Sequence, residues 1–335
     1  MAKRKSRKMS KIQPSVTRLW FHIKSDNTTN YLDLSLAASA ANRRFYRQGI
    51  TWAVAGMTLH TSPSGESAVT GEFDVSKIPQ TWMAQNAHQK TKRLWMKSQN
   101  QVIDDQPTIP AKYRDFKVYI DGDMVGASIQ EQSEDPQDPA DNDTILLPVD
   151  RQNFPTKTGA WDYSTLQLPR DGGSLSPDEV NMHMVGNNVA AGGGTLESVG
   201  IIHGYGLSRS RPQSIDPNTP TDGGWMNDVF DVADNLDEIR LDVTDNNDTP
   251  PYRVGDEESA SEFYPGGVNN VPSTALHSTE FISQSTVGGK THVAGGMFPC
   301  GLIRFDWLIS NASQSMFLAV DLVPGNQKGY LTEVY

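Results

Sequence analysis

The sequence predicts an all-β protein built as a single jelly roll, an eight-stranded antiparallel β-sandwich with long loops and one or two short helices. Roughly eight to ten short segments carry the branched, aromatic or alternating residues of strands. Many turn formers, including 28 Gly and 20 Pro, separate these segments. Strands and helices do not alternate regularly, which argues against a parallel α/β sheet. Among all-β folds, the jelly roll accommodates long loops at both ends.

The first half of the chain contains the clearest element patterns. Strands are expected at residues 16–24, 31–36, 50–60, 68–75 and 113–120. The fourth of these is expected to pair with the third across a turn at residues 62–65. A short helix is expected over residues 37–46, ending near Gly49. Within residues 79–101, large apolar and basic side chains recur at spacings of three and four residues. This pattern predicts the clearest helix of the chain.

The second half is richer in loops. Short strands are expected at residues 145–149, 163–168, 180–185 and 199–207, with an acidic loop at 131–143, a second short helix within 222–239 and an irregular loop at 242–267. Two strongly apolar strands, residues 297–309 and 316–323, are expected to pair with early strands. No boundary divides the body. We therefore predict a disordered basic arm, residues 1–14, followed by one jelly-roll domain, residues 15–335.

The charge of the chain is divided sharply between the arm and the body. The first eleven residues hold six cations and no acid, namely Lys3, Arg4, Lys5, Arg7, Lys8 and Lys11. Without these six, the 29 Lys and Arg of the chain fall to 23, against 40 Asp and Glu. A dense run of like charge cannot bury enough apolar surface to fold alone, and nucleic acid is the polyanion that it suits. A nuclear localisation signal fits the same cations and is compatible with this role.

Composition excludes several other classes of protein. No stretch approaches the roughly 18 apolar residues that a membrane span requires, so no membrane partner is expected. Cys300 is the single cysteine, which excludes an intrachain disulfide framework and a cysteine-based zinc site.

Motif searches give no support for catalysis. Residues 288–291 (Gly-Gly-Lys-Thr) read like the end of a P-loop, but Gln284 stands where that motif needs glycine, so a hairpin turn is expected instead. Gly204-Tyr-Gly begins like a dinucleotide fingerprint, but Arg209 replaces its third glycine. The histidines and acidic loops lack metal-ligand spacing. We expect no enzyme activity, no cofactor and no metal site, while a calcium ion between subunits stays an open alternative.

Two cationic clusters in the body are further candidates for nucleic-acid contact. One contains Arg43, Arg44 and Arg47 with two aromatic neighbours, and the other contains Lys90, Lys92, Arg93 and Lys97 around Trp95. Cations interleaved with aromatic residues suit phosphate contact combined with base stacking. The alternative is a solvated helix face whose aromatic residues belong to the core.

Several segments, taken in order, resemble a known family. They are residues 42–49 (Asn-Arg-Arg-Phe-Tyr-Arg-Gln-Gly) followed by a Trp-containing strand, residues 82–95, 113–119 and 204–212, and the Pro-Pro-Tyr and Tyr-Pro-Gly-Gly strings at 250–252 and 264–267. Together they are similar to capsid proteins of small circular single-stranded DNA viruses that encode a replication initiator. The likeness covers most of the body, although the arm is shorter than the Arg-rich tails of many such proteins.

This resemblance implies a structural protein that assembles with itself into a small icosahedral (T=1) shell. The basic arm would lie inside on the single-stranded DNA genome, contacting phosphates without reading bases. The implied location is the virion, with the host nucleus during assembly, and the host receptor is unknown. The main alternative is a single-stranded nucleic-acid-binding β protein that works as a small oligomer. An all-β carbohydrate-binding or lytic protein would leave the arm without a role.

Overall fold

The structure is a computed structural model of the chain. It describes residues 13–23, 28–61, 69–105, 113–130, 143–150, 155–168, 178–192, 195–207, 273–283, 289–310 and 316–335. The arm cations, residues 131–142 of the acidic loop, the helix expected within 222–239 and the loop at 242–267 lie outside these residues.

The described part of the chain is mostly β. Its eighteen strands are β1 (Arg18–Ile23), β2 (Thr29–Asp33), β3 (Ile50–His60), β4 (Thr70–Lys77), β5 (Tyr119–Asp121), β6 (Ser128–Ile129), β7 (Asp143–Ile145), β8 (Thr165–Leu168), β9 (Asp178–Val185), β10 (Val189–Gly192), β11 (Thr195–Gly200), β12 (Ala275–Ile282), β13 (Lys290–Phe298), β14 (Leu302–Ser310), β15 (Met316–Leu322), β16 (Pro324–Gly325), β17 (Gly329–Tyr330) and β18 (Thr332–Val334). Its helices are α1 (Leu34–Asn42), α2 (Trp82–Asp105) and α3 (Ile201–Leu207).

Two large sheets form a sandwich. Sheet A has the strand order β1-β15-β3-β13, with β18 also paired to β3, and sheet B has the order β12-β4-β14-β2-β7-β6. Alternate side chains of both sheets point into one apolar core, in which Phe21, Trp52, Phe305 and Leu318 are buried. The alternation leaves each sheet with an outer face of different composition.

Eight strands of the sandwich pair in a nested order. The first and last, β1 and β15, are antiparallel partners, and the same holds for β2 with β14, β3 with β13, and β4 with β12. Two further antiparallel pairs, β15 with β3 and β14 with β4, complete the two sheets. The expectation that the apolar terminal strands pair with early strands is therefore confirmed.

More than half of the chain, residues 78–274, lies between β4 and β12. The described residues of this segment form α2, α3, strands that extend sheet B, and a third sheet, C, of order β10-β11-β9-β5 with β8 paired to β9. A second apolar core joins this segment to the sandwich, because Tyr31 and Leu302 of sheet B pack with Phe116 and Met182.

The first helix begins earlier than the sequence pattern indicated. Residues 31–36 were expected to be one strand, but Asp33 ends β2 and caps α1, accepting hydrogen bonds from the backbone N–H groups of Ser35 and Leu36. The helix ends at Arg43, which adopts the left-handed conformation with φ 52°.

The predicted long helix is confirmed as α2, which spans 24 residues. Its buried residues Met83, Ala84, Ala87 and Trp95 recur at helical spacing on one side. The expectation of one or two short helices is wrong, because three helices are described and α2 is long.

Three local predictions are wrong for a shared reason, which is that the chain changes sheets where a continuous element was expected. Strand β4 belongs to sheet B, so it does not form a hairpin with β3. Residues 297–309 are divided into β13 and β14 at Pro299–Gly301, where Cys300 and Gly301 both have positive φ. Strand β13 starts at Lys290 in sheet A whereas β12 lies in sheet B, so residues 288–291 do not join paired strands.

Two other strands are shorter than expected. Of the residues 113–120, only Tyr119 and Ile120 belong to a strand, as part of β5. Residues 199–207 leave β11 after Gly200 and form α3, so the Gly204-Tyr-Gly sequence lies within a helix.

Candidate nucleic-acid interface

The arm joins the body at one end of the sandwich, where its first described residues are fixed by hydrogen bonds. Val16 donates its backbone N–H to Asn42 Oδ1 at 2.9 Å, and the Tyr330 hydroxyl donates to the Val16 carbonyl at 2.6 Å. Gln13 Oε1 accepts from Arg44 Nη1 at 2.8 Å. The root of the arm is therefore held between α1 and the C-terminal hairpin β16–β17.

Cations surround this root. Arg43 is exposed at the end of α1 and Arg44 is half-buried beside Gln13. Lys328, which the sequence analysis did not select, donates its ammonium group to the Phe45 carbonyl at 2.7 Å and lies 5.6 Å from the Tyr46 ring centroid. Its position in the turn between two short strands, with φ 51°, gave no signal of a binding role.

Arg47 and Lys92 form a separate pair near a buried carboxylate. The Asp115 side chain accepts a hydrogen bond from the Gln48 backbone N–H at 2.9 Å. Burial raises the pKa of Asp115, while the charges of Arg47, Lys117 and Lys92 oppose that rise. Arg47 and Lys92 therefore lie close enough to Asp115 for its ionised form to offset part of their positive potential.

Three cations of α2 form a stripe on its exposed face. Lys90, Arg93 and Lys97 are exposed and separated by three or four residues, with Leu94 (51% exposed) among them. We call these four residues the α2 stripe. Lys90 lies 5.3 Å from the Tyr205 ring centroid, beside a pocket of about 410 Å³ between α2, β9 and α3.

The aromatic residues expected to stack on bases are mostly core residues. Trp95 is 7% exposed and packs on Phe116, with ring centroids 5.6 Å apart. Tyr46 is buried against Trp52 and Tyr330. The expectation of interleaved stacking aromatics at these two clusters is therefore wrong for Trp95 and Tyr46, because helix periodicity and the sandwich core direct their rings inward.

The structure thus divides the candidate residues into three groups. Arg43 and Arg44 lie at the root of the arm, Arg47 and Lys92 lie near Asp115, and Lys90, Arg93 and Lys97 lie on the α2 stripe. Lys3, Arg4, Lys5, Arg7, Lys8 and Lys11 lie outside the described residues. Among the described residues, no group of three or more His, Cys, Asp or Glu side chains is arranged to hold a metal ion. No described helix combines the length and apolar character that crossing a bilayer requires.

Comparison with protein-family models, with curated proteins and with solved structures finds no match for this chain.

Proposed function

We propose that this protein is a structural capsid subunit that assembles with copies of itself into a small icosahedral shell and packages circular single-stranded DNA. In this proposal the arm contacts phosphates on the inside of the shell without reading sequence. The protein catalyses no reaction. It acts in the virion, with assembly in the host nucleus, and its surface contacts an unidentified host receptor.

The observation that carries the proposal is the nested order of the eight strands. A jelly roll results when one long antiparallel hairpin of eight strands, with first paired to last, rolls into two sheets. The pairs β1–β15, β2–β14, β3–β13 and β4–β12 have this order. We therefore interpret the sandwich as a single jelly roll, a fold common in viral shells and also used by lectins and cupins.

The basic arm favours the shell over the other uses of this fold. Six cations precede a body that is strongly acidic overall, and the root of the arm lies against Arg44 and near Arg43 and Lys328. Each phosphate that such cations neutralise releases a counterion, so the contact is strong and independent of sequence. Many weak contacts on one shell add up through avidity.

Exposed apolar side chains on sheet B support self-association. Phe281 of β12 and Leu308 of β14 are 70% and 71% exposed, and both lie opposite Glu72 of β4 in the strand register. Large exposed apolar residues brought together on a sheet commonly mark a protein contact. In the proposed shell, this pair lies in a contact between subunits.

Deletion of residues 2–11 tests the role of the arm. The shortened chain should keep the melting temperature and the particle size of the full chain, because a run with six cations and almost no apolar residues has little surface to bury in a core. Nuclease-protected DNA in the particles should be lost. Unchanged protection would transfer the binding role to the cations of the body.

Particle size separates the proposal from its main alternative. A shell subunit should sediment as large closed particles, whereas a single-strand-binding protein of small oligomeric state should bind DNA without forming them. Monomers or dimers at every salt concentration would overturn the capsid assignment.

A further inference from the structure

The outer face of sheet A carries a set of aromatic and cationic side chains to which the proposed function assigns no role. Leu19, Phe21 and Ile23 of β1 point into the core, so the alternating residues Arg18, Trp20 and His22 point to the opposite face. The same alternation places Phe317 of β15, His60 of β3 and His292 of β13 on this face.

The strand register aligns these side chains in two neighbouring rows. One row crosses the sheet as His22, Phe317, His60 and Lys290, and the next as Trp20, Ala319, Thr58 and His292. Because adjacent strands lie about 4.8 Å apart, the first row places the rings of His22, Phe317 and His60 side by side, and the second row has Trp20 and His292 at its two ends. We call the ring-bearing residues of these rows that keep open surface, together with Lys290, the sheet A platform: Trp20, His60, Lys290, His292 and Phe317. His22 lies in the same row but is buried, at 4% exposed.

The platform residues keep part of their surface open, while two of their rings pack on each other and Phe317 packs on the buried ring of His22. Trp20 and His60 have ring centroids 5.0 Å apart, and His22 and Phe317 are 5.1 Å apart. Trp20 is 37% exposed. Burial, together with the charges of Lys290, Arg18 and His292, lowers the pKa of His60, so its ring is neutral at neutral pH. A neutral ring beside an indole is a surface on which a base can stack.

The charge around the platform suits a polyanion. Arg18 is paired with Asp321 through two hydrogen bonds of 2.6 and 2.7 Å, and the exposed Lys290 lies in the row of His60. Strand β1 also follows directly from the root of the arm, so the proposed nucleic-acid-binding arm joins the body at a strand of this sheet. The outer face of sheet B, in contrast, is acidic around Glu72, Asp74 and Asp306.

We infer that the sheet A platform binds single-stranded nucleic acid by stacking bases on Trp20 and its neighbouring rings, with Lys290 contacting phosphate. This inference rests on the proposed packaging function and names a base-binding surface for it. Stacking tolerates any base, because every base has a flat aromatic face, so the platform reads no sequence. It adds a contact within the folded body to the purely electrostatic contact of the arm.

Binding of a fluorescent oligothymidylate to the full chain, followed by anisotropy, tests this inference. Trp20→Leu should weaken binding about ten-fold because it removes the stacking ring, whereas Trp20→Phe should retain affinity to within about three-fold. The loss in Trp20→Leu should be similar at low and high salt, since stacking is not screened. Wild-type affinity in Trp20→Leu would overturn the inference.

The matched control is Phe281→Leu, which removes a more exposed aromatic ring from the opposite face. Binding of oligothymidylate should be unchanged in this variant, and an equal loss would overturn the inference. Poly-glutamate serves as a second polyanion, and it should bind the full chain with similar affinity in wild type and in Trp20→Leu. If Trp20→Leu weakened poly-glutamate binding as strongly, the contact would be electrostatic and the inference wrong.

Photocrosslinking of the unmodified chain to a bromodeoxyuridine oligonucleotide gives an independent readout. Crosslinked peptides should include Arg18–Ile23 or Met316–Leu322, and crosslinks confined to the arm and α2 would overturn the inference. Shell formation, measured by sedimentation of the same samples, separates this result from the proposed function. Closed particles without platform crosslinks would reject the platform alone, while crosslinks without closed particles would reject the shell alone.

Discussion

The outer faces of sheets A and B each carry an arginine, and the two arginines differ in how many carboxylates surround them. On sheet B, Arg304 contacts three carboxylates, with its guanidinium 2.7 Å from Asp121, 2.9 Å from Asp123 and 2.9 Å from Asp306. On sheet A, Arg18 contacts Asp321 alone, and most of its side chain is exposed. The outer face of sheet B therefore has an excess of acid, whereas on sheet A the cations Arg18 and Lys290 are balanced by the acids Asp321 and Glu333.

This difference shows how an acidic protein can present a surface to nucleic acid. The carboxylates of sheet B would repel phosphate, and they already balance the charge of Arg304. On sheet A, Trp20 lies in the strand that follows the root of the arm, and Lys290 lies on the strand at the other edge of the four-strand order. The overall charge of the chain therefore does not describe the face that we propose for binding.

The largest expected effect comes from removing the arginine on sheet B. Arg304→Leu leaves Asp121 buried without its charged partner, and we expect the free energy of unfolding to fall by about 2–4 kcal/mol. This loss of unfolding free energy is smaller than the loss expected when one partner of an entirely buried ion pair is removed, because Asp123 is exposed to water. Urea denaturation of the wild type and of Arg304→Leu measures this difference in the free energy of unfolding.

The matched variant on sheet A is Arg18→Leu, which breaks an exposed ion pair. Its melting temperature should equal that of the wild type, because solvent screens the pair. Equal destabilisation by the two variants would show that the faces do not differ as described.

The pH dependence of the unfolding free energy gives a second test on sheet B. Asp33 at the end of β2 is fully buried, and burial raises its pKa to about 6 although Gln48, Leu36 and Ser35 donate hydrogen bonds to it. Because the folded pKa exceeds the unfolded value of about 3.9, the folded state gains stability as pH falls from 7 towards 4 and loses it as pH rises through 6. The contribution of Asp33 is about 3 kcal/mol at most.

Asp33→Asn, which cannot ionise, isolates this contribution. Burial lowers the pKa values of His88 and His183, which act on stability in the opposite direction, so the informative quantity is the difference between wild type and variant. That difference in unfolding free energy should change between pH 4 and 7. A constant difference would mean that Asp33 has an ordinary pKa.

The apolar pair on sheet B should affect assembly without affecting the fold. Phe281→Ser and Leu308→Ser together remove two exposed side chains, so the melting temperature of the dissociated subunit should stay unchanged. Sedimentation should show fewer or no large particles. Val334→Ser on sheet A, which removes another exposed apolar side chain, is the control. Particles that form normally from the Phe281 and Leu308 variant would exclude this patch from the subunit contact.

The smallest expected effect concerns the α2 stripe. Replacing Lys90, Arg93 and Lys97 with Gln removes at most three phosphate contacts, so the slope of log affinity against log salt should flatten by about 2. The corresponding change of Lys92 to Gln should alter the slope less, because the ionised form of Asp115 offsets part of the positive potential of Lys92. An unchanged slope in the triple variant would identify the stripe as an ordinary solvated helix face.

Much of the fold could be predicted because its strands are strongly patterned. The strand Ile50–His60 follows from the alternation of its side chains. The long helix α2 follows from the helical spacing of a stretch without Gly or Pro. Changes of sheet could not be predicted, because a strand such as Thr70–Lys77 has the same pattern whichever neighbour it pairs with. The break at Cys300 and Gly301 depends on left-handed backbone geometry at a non-glycine residue, which the apolar pattern of the segment hides.

The candidate site was only partly visible in the sequence. Charge clusters identified the arm and α2, since charge is additive along the chain and needs no tertiary context. Lys290 and Trp20 are far apart in sequence and meet only because β1, β15, β3 and β13 are neighbours in sheet A. The strand expected at residues 16–24 necessarily directs Trp20 and Phe21 to opposite faces, but the sequence does not show which face is open.

A cryo-electron microscopy map of particles assembled from the full chain tests the central claim most directly. We expect a closed shell in which residue 13 and the outer face of sheet A line the interior, with nucleic-acid density against Trp20 and Lys290. A map in which the outer face of sheet B lines the interior, or samples that contain no closed particles, would contradict the account.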